Sequence, residues 1–449
     1  MEEISKYGKY KDTGIEWIGE IPENWDVKKI KHRCYVKGRV GWKGLKSSEF
    51  LTDGFSYLVT GTDFKNDTVD WDNCYHIDEE RYNEDPYIQL QNEDLLITKD
   101  GTIGKLAVVT NLDKPACLNS GIFVVRSIKD DFSTRFLLWV LKSSIFTDFN
   151  GLTAYGSTIQ HLYQNVFVEF AFAFPPVNTQ ISIADYLQKK TAEIDHIIAN
   201  KQKLIALYEE EKQAIINQVV TKGLDPNLKM KDSGVEWLGE IPEHWEQKNL
   251  KYLARVQTGG TPKIQNAKMD YFADSTINWY TPSDFYNDGV LEDSNRKINE
   301  FAVDDNEVEI FPENSVYLVS IGATLGKVGL SKTKASANQQ INVIIFDKSL
   351  LNPFYGYYFL VSNKEMIKLE ADYTTLPILN QTKTKSLTIA YPNLKEQDEI
   401  VQYIDKECVR INTILEKFNK QIDLLKEYRT TLISEVVTGK IKVPNTIEA

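Results

Sequence analysis

The chain says nearly the same thing twice. "DTGIEWIGEIPENW" occupies residues 12–25 and "DSGVEWLGEIPEHW" occupies residues 232–245. Over residues 12–31 and 232–251, 12 of 20 positions are identical. Further anchors follow in the same order. "DFKND" at 63–67 answers "DFYND" at 284–288, "TIGK" at 102–105 answers "TLGK" at 324–327, and "QVVT" at 218–221 answers "EVVT" at 435–438. A repeat of this period restricts the fold to two copies of one unit. What the copies share is expected to be framework, and what differs between them is expected to act differently in each.

Each copy has two zones. The first, roughly 15–175 and 235–392, is rich in aromatic and β-branched residues, with strand-like runs such as "IFVVR" and "INVIIF" bounded by Gly, Asn and Asp, and short helical pieces such as "STRFLLWVLKSS". The second zone, 178–222 and 393–438, contains no Gly or Pro and starts just after Pro175-Pro176 or Pro392, which suits a helix start. Apolar residues recur there at 3-4 spacing over about five heptads, a coiled-coil signature. The seam in the first helix runs through Leu187, Ile194, Ile198, Ile205, Tyr208 and Ile215. In the second it runs through Ile404, Ile411, Leu415, Phe418, Ile422, Leu425 and Leu432. At 1.5 Å per residue each helix is about 65 Å long, too long to lie on one small domain.

Connectivity gives the direction. The first helix ends where the second copy begins, so the two helices meet antiparallel. The expected class is α+β: two mixed α/β units separated by a long antiparallel two-helix coiled coil, a dumbbell with an approximate two-fold axis. The expected boundaries are 1–177 for the first globular domain and 178–222 for the first spacer helix. The linker and second domain take 223–392, and the second helix with its tail takes 393–449.

At 449 residues, with 42% apolar and 26% charged residues, the composition is that of a globular protein with two or three domains. Cys34, Cys74, Cys117 and Cys408 are far apart and form no Cys-x-x-Cys pair, which suggests buried thiols in a reducing compartment. With no leader-like or membrane-spanning run in the sequence, a cytoplasmic location is expected. The net charge of −12 argues against nonspecific coating of nucleic acid, but not against cations gathered on one face.

Such gathering is present. Between Asp26 and Glu49 stand Lys28, Lys29, Lys31, Arg33, Lys37, Arg39, Lys43 and Lys46 with no acid, and Tyr35 and Trp42 among them. The matching window between Glu246 and Asp270 holds Lys248, Lys251, Arg255, Lys263 and Lys268, again without an acid, around "TGGTPK". Cations and glycines of this kind suit phosphate contacts; the alternative is a solvated basic edge that balances acids elsewhere. The loops "KDGTIGK" (99–105) and "IGATLGK" (321–327) lack the spacing and the trailing Ser/Thr of a nucleotide-binding loop, and suit Gly-tightened turns that carry a lysine. "FPPV" (174–177) lacks the flanking residues of an amino-methyltransferase catalytic loop. The five histidines show no metal spacing. No catalytic and no metal site is therefore expected.

In order, the repeated phrase, "GGTPK", the "DF.ND" pair, the Gly loop and "YLQKKTAEID" leading a long helix resemble the specificity subunits of type I restriction-modification systems. The resemblance covers essentially the whole chain, although the first copy has "KGRVGWKGLK" where the second has "TGGTPK". It implies a non-catalytic subunit with two target-recognition domains, each reading one half of a split double-stranded DNA target. The conserved helices would dock two DNA methylation subunits, and restriction subunits could join them. S-adenosylmethionine, ATP and Mg would belong to those partners, with no cofactor on this chain. Half-site centres on one side of B-DNA would lie roughly 10–11 bp apart.

Charge and loop position nominate Arg39, Trp42, Lys43, Lys46, Lys65, Lys99 and Lys105 in the first copy as DNA contacts. In the second copy they nominate Arg255, Lys263, Ser283 and Lys327. Apolar residues off the seam (Ile197, Leu204 and Ile216, then Ile414, Leu424 and Ile433) are expected to meet a partner. Trp17, Trp25, Trp237 and Trp245, shared by both copies, are assigned to framework. Three other readings compete: a two-headed coiled-coil protein adaptor, a self-sufficient methyltransferase, against which the missing catalytic motifs argue, and a decoy that sequesters methylation subunits.

Overall fold

The computed structural model describes residues 5–39, 44–129, 131–153, 161–262, 270–285, 289–373 and 376–444. It divides into two compact units, one made of residues 1–201 with 419–449 and the other of residues 202–418. The first long helix spans Val177–Lys222 and the second Leu394–Val437, so each helix contributes one half to each unit.

Within each unit the two helix halves run antiparallel. In the first, Asp195 pairs with Arg429 (3.0 Å) and Lys201 with Gln421 (2.6 Å). In the second, the Tyr208 ring lies 6.0 Å from that of Phe418, Lys212 meets Asn412 at 3.1 Å and Glu211 meets Arg410 at 2.6 Å. Partners descend one helix as they climb the other. Every seam residue named above is buried or half-buried, as the periodicity requires.

Each unit carries a larger and a smaller main sheet of matching order, besides short two-stranded pairs. In the first, the larger sheet is ordered Cys34–Gly38, Ile122–Ser127, Leu95–Thr98, Leu106–Val108, Thr68–Val69, Phe64–Lys65. In the second it is Ala254–Thr258, Ile341–Phe346, Ser315–Val319, Val328–Ser331, Gly289–Leu291. The neighbours are antiparallel until Leu106–Val108 pairs Thr68–Val69, and Val328–Ser331 pairs Gly289–Leu291, in parallel. A smaller three-stranded sheet centres on Ser56–Val59 in one unit and Ile277–Tyr280 in the other.

The repeated phrase is a tight frame with one function. Asp12 and Asp232 each accept a hydrogen bond from the second following N–H, at 3.0 and 2.9 Å. The glycines take left-handed backbone (Gly14 +64°, Gly19 +70°, Gly234 +68°, Gly239 +62°), where a Cβ is strained. This folds Ile18, Ile21 and Trp25 inward in the first unit, against Leu432, Ile433, Val436 and Val437 of the second helix. In the second unit Leu238, Ile241 and Trp245 meet Ile216, Val219 and Val220 of the first helix. Each phrase is thus the socket for a long helix's last turns. Trp25 and Trp245 are buried and Trp17 and Trp237 half-buried, in keeping with a framework role.

Two expectations fail here for the same reason. Ile216 and Ile433, which the sequence suggests as partner contacts, sit in these sockets instead, 3% and 1% exposed. Residues 5–10 and 439–442 meet within the first unit, where Lys442 N–H donates to the Ser5 carbonyl at 2.8 Å and the Tyr10 hydroxyl to that of Gly439 at 3.0 Å.

Candidate nucleic-acid interface

The basic windows turn out to be half spent on the framework. The fold brings acids from far along the chain: Lys29 and Lys31 bracket Glu169 and Arg33 pairs Asp131 at 2.9 Å, whereas Arg255 stays exposed beside Glu309, 3.4 Å away. Glu169 is held down at a pKa of about 2, through hydrogen bonds from Lys29 and Lys31. Arg39, nominated as a DNA contact, is 3% exposed, with its guanidinium on the Leu118 carbonyl (2.9 Å) and the Cys117 thiol (3.3 Å). It directly follows the edge strand Cys34–Gly38 with its side chain turned inward, so it serves as framework.

Other nominated residues face outward. Lys46 and Lys105 are exposed, and Lys65 is exposed while paired to Asp70 at 3.2 Å. Ser283 is exposed on a loop whose partner in the first unit is built identically. Asp63 accepts from the Thr60 N–H and Asp284 from the Thr281 N–H, both at 2.7 Å, and both carboxylates are buried. The Thr60–Thr62 and Thr281–Ser283 hydroxyl pairs are each 2.7 Å apart. Lys327 is half-buried and donates to the Phe285 carbonyl at 2.6 Å, which bends it back over its own unit. Lys99 pairs Asp100 at 3.0 Å. Trp42, Lys43 and Lys263 lie outside the described residues.

The two glycine loops are turns between antiparallel neighbours, as their composition suggests. Gly101 and Gly104 (φ +71° and +82°) and Gly322 and Gly326 (+99° and +89°) supply the left-handed residues that let each loop close in so few steps. Both are pinned alike: Gly104 N–H donates to the Thr98 carbonyl and Gly326 N–H to that of Val319, each at 2.9 Å.

Sequence reasoning passed over several residues of this region. Gln180 and Gln397, both fully buried, tie the long helices to their sheets. The side-chain amide of Gln180 donates to the carbonyls of Pro175 (2.8 Å) and Asp131 (3.2 Å), and that of Gln397 to those of Pro392 (2.8 Å) and Leu350 (3.2 Å). Their identity at a fixed offset was the available signal. Asp100, His161 and Tyr163 were also missed. They line a groove of about 500 Å³ in the first unit together with Lys99 and Phe123. "HLYQ" at 161–164 against "ILNQ" at 378–381 was the clue.

Among the off-seam apolar residues, Ile197, Leu204 and Leu424 are exposed and Ile414 is half-buried. Among the described residues no cluster of three or more His, Cys, Asp or Glu is placed to hold a metal ion, and no helix is long and apolar enough to cross a membrane. All four cysteines are free thiols; burial pushes those of Cys34 and Cys117 up to about 12 and about 11.

A family model described as the type I restriction modification DNA specificity domain matches residues 22–206 and 242–429. The MjaVIII type I restriction enzyme specificity subunit of Methanocaldococcus jannaschii is 26% identical over 448 residues, 95% of each chain. A chain from a structure of complex assembly and conformational transition in a type I R-M system superposes with a TM-score of 0.70 at 14% identity, covering 93% of this chain and 98% of that one. The crystal structure of the HsdS subunit from Thermoanaerobacter tengcongensis gives 0.57 at 13% identity, covering 94% and 98%. The structural likenesses show the fold.

Proposed function

The chain belongs to the type I restriction-modification DNA specificity family, and from that premise we propose that it is the DNA-recognition subunit of such a complex. Each unit reads one half of a bipartite, asymmetric double-stranded target. One observation carries the reading: a single polypeptide holds two copies of one hydrogen-bonded frame, and the side chains presented on matched loops differ. A shared frame sets register on phosphates, while differing side chains read different base edges.

Lys46, Lys65, Lys99 and Lys105 in the first unit, and Arg255 and Ser283 in the second, are the proposed DNA contacts. Lys327 joins them only if it leaves the Phe285 carbonyl. The long helices, shared by both units, dock the methylation subunits, with the exposed Ile197, Leu204 and Leu424 as contacts on them. Those partners bring S-adenosylmethionine and, where restriction subunits join, ATP and Mg. This chain supplies recognition and no chemistry of its own.

The test is co-expression with a type I methylation subunit, followed by genome-wide mapping of methylated adenines. The expected result is a split motif whose two halves differ. A continuous palindrome, or methylation without any motif, overturns the proposal and returns the chain to the adaptor or decoy class.

A further inference from the structure

One corner of the fold is built twice with the same backbone and opposite chemistry. In the first unit the Lys99 N–H donates to the Gly121 carbonyl (2.8 Å), and the Leu162 N–H donates to the Lys99 carbonyl (3.0 Å). In the second, the Ser320 N–H donates to the Gln340 carbonyl (2.8 Å) and the Leu379 N–H to the Ser320 carbonyl (2.8 Å). Lys99 and Ser320 therefore hold one backbone position, and the buried Leu162 and Leu379 another. The neighbours of those two positions are Asp100 and His161 in the first unit and Ile321 and Ile378 in the second.

Those neighbours meet in both units. Ile321 and Ile378 form an isolated antiparallel β-bridge. The Asp100 carboxylate meets His161 Nδ1 at 2.8 Å and, through its other oxygen, Lys99 Nζ at 3.0 Å. The ammonium of Lys99 lies 5.6 Å from the centre of the Phe123 ring. Beyond the corner the first unit exposes Tyr163, its ring 6.0 Å from that of His161, whereas the second has Asn380, which caps the helix Gln381–Ser386. The polar corner opens on the groove of about 500 Å³. The Asp100 and His161 side chains are each about two-fifths exposed, 38% and 42%, so solvent or a ligand can reach the pair.

A half-exposed carboxylate on a face that meets a polyanion is unfavourable unless it is paired, and here a lysine and an imidazole pair it. A carboxylate and an imidazole side by side can accept from an exocyclic amino group and address an adjacent acceptor, the contacts a base edge offers in the major groove. Two isoleucines at the same place offer an apolar surface, which suits a thymine methyl. We infer that this corner is a specificity-determining position in both units, with Asp100–His161 reading a base edge in the first half-site and Ile321–Ile378 contacting the second. The inference rests on the proposed DNA-recognition role.

The exchange of the two pairs tests it, because each pair already sits on the other's backbone. In complex with the methylation subunit, D100I/H161I is expected to reduce discrimination by about tenfold or more at one or more positions of the first unit's half-site. The second half-site is expected to be unchanged. I321D/I378H is expected to alter only the second half-site. If D100I/H161I abolishes methylation, H161Q, which keeps a hydrogen-bonding group beside Asp100, takes its place with the same expected result. Half-sites read as in the parent by these variants, with or without a change in stability, make the corner structural and overturn the inference. A parent protein that yields no split motif overturns the recognition role instead, so the two failures are told apart.

Discussion

At matched positions the first unit holds a bidentate ion pair and the second holds none. Val125 lies opposite Leu95 in the first sheet and Ile344 opposite Val316 in the second, so Arg126 and Asp94 correspond to Ile345 and Ser315. Arg126 grips Asp94 at 2.6 and 2.7 Å, with the carboxylate almost fully buried. Ser315 instead turns its hydroxyl to the Pro312 carbonyl at 2.7 Å. One frame tolerates either solution because a buried ion pair gains little over a packed alternative, while half of either solution is costly. Divergence of this kind requires paired changes, and it leaves the backbone available for new surface chemistry.

The parts that both units share carry the largest expected effects. Trp245→Ala, which empties a fully buried site against the end of the first helix, is expected to cost about 4 kcal/mol. Trp25→Ala should cost about the same in the first unit. Denaturant unfolding measures both, and the methylated motif of whatever remains folded should be unaltered; a changed motif would count against a framework role. Next comes the ion pair. Arg126→Ile alone leaves Asp94 buried and unpaired, an expected loss of about 3 kcal/mol, whereas Arg126→Ile with Asp94→Ser should recover most of it. Equal losses in the single and double variants would mean that the two sheets are not interchangeable at this register.

The buried glutamines sharpen the likeness. Gln180→Ala and Gln397→Ala each strand backbone groups, and each is expected to cost about 2 kcal/mol. Losses that differ severalfold would show that the helix starts are not equivalent. The smallest effect belongs to Glu169, whose position in the second unit is Ser386. Its carboxyl is depressed in the folded state to about 2, below an ordinary 4.5. Its contribution is therefore full above about pH 4.5 and disappears as pH falls toward 2. Melting temperatures of the parent and Glu169→Gln should differ slightly near pH 6 and draw together as the pH falls toward 2. A gap that widens on acidification would contradict this.

Much of this architecture was legible because it repeats or is periodic. The helices fall within a residue of their expected starts, since proline and the 3-4 spacing are local signals. Tertiary placement was not legible. Ile216 and Ile433 look like free apolar flanks in sequence, because nothing local says that the repeated phrase returns to cover them. Arg39 looks like one more cation in a basic run, and only strand geometry turns it inward. The acids that neutralise Lys29, Lys31 and Arg33 lie roughly a hundred residues or more away in sequence, so a window count could not see them. Asp100 and His161 are 61 residues apart, and they meet because the Leu162 N–H is bonded to the Lys99 carbonyl.

A constant frame thus presents two independent readers. The direct measurement replaces residues 254–387 with residues 34–170, which start and end at matched frame positions, and maps the bases methylated by the resulting complex. The expected target has two halves that carry the same bases, those of the parent's first half-site. A second half-site that keeps its original bases after the exchange would contradict it.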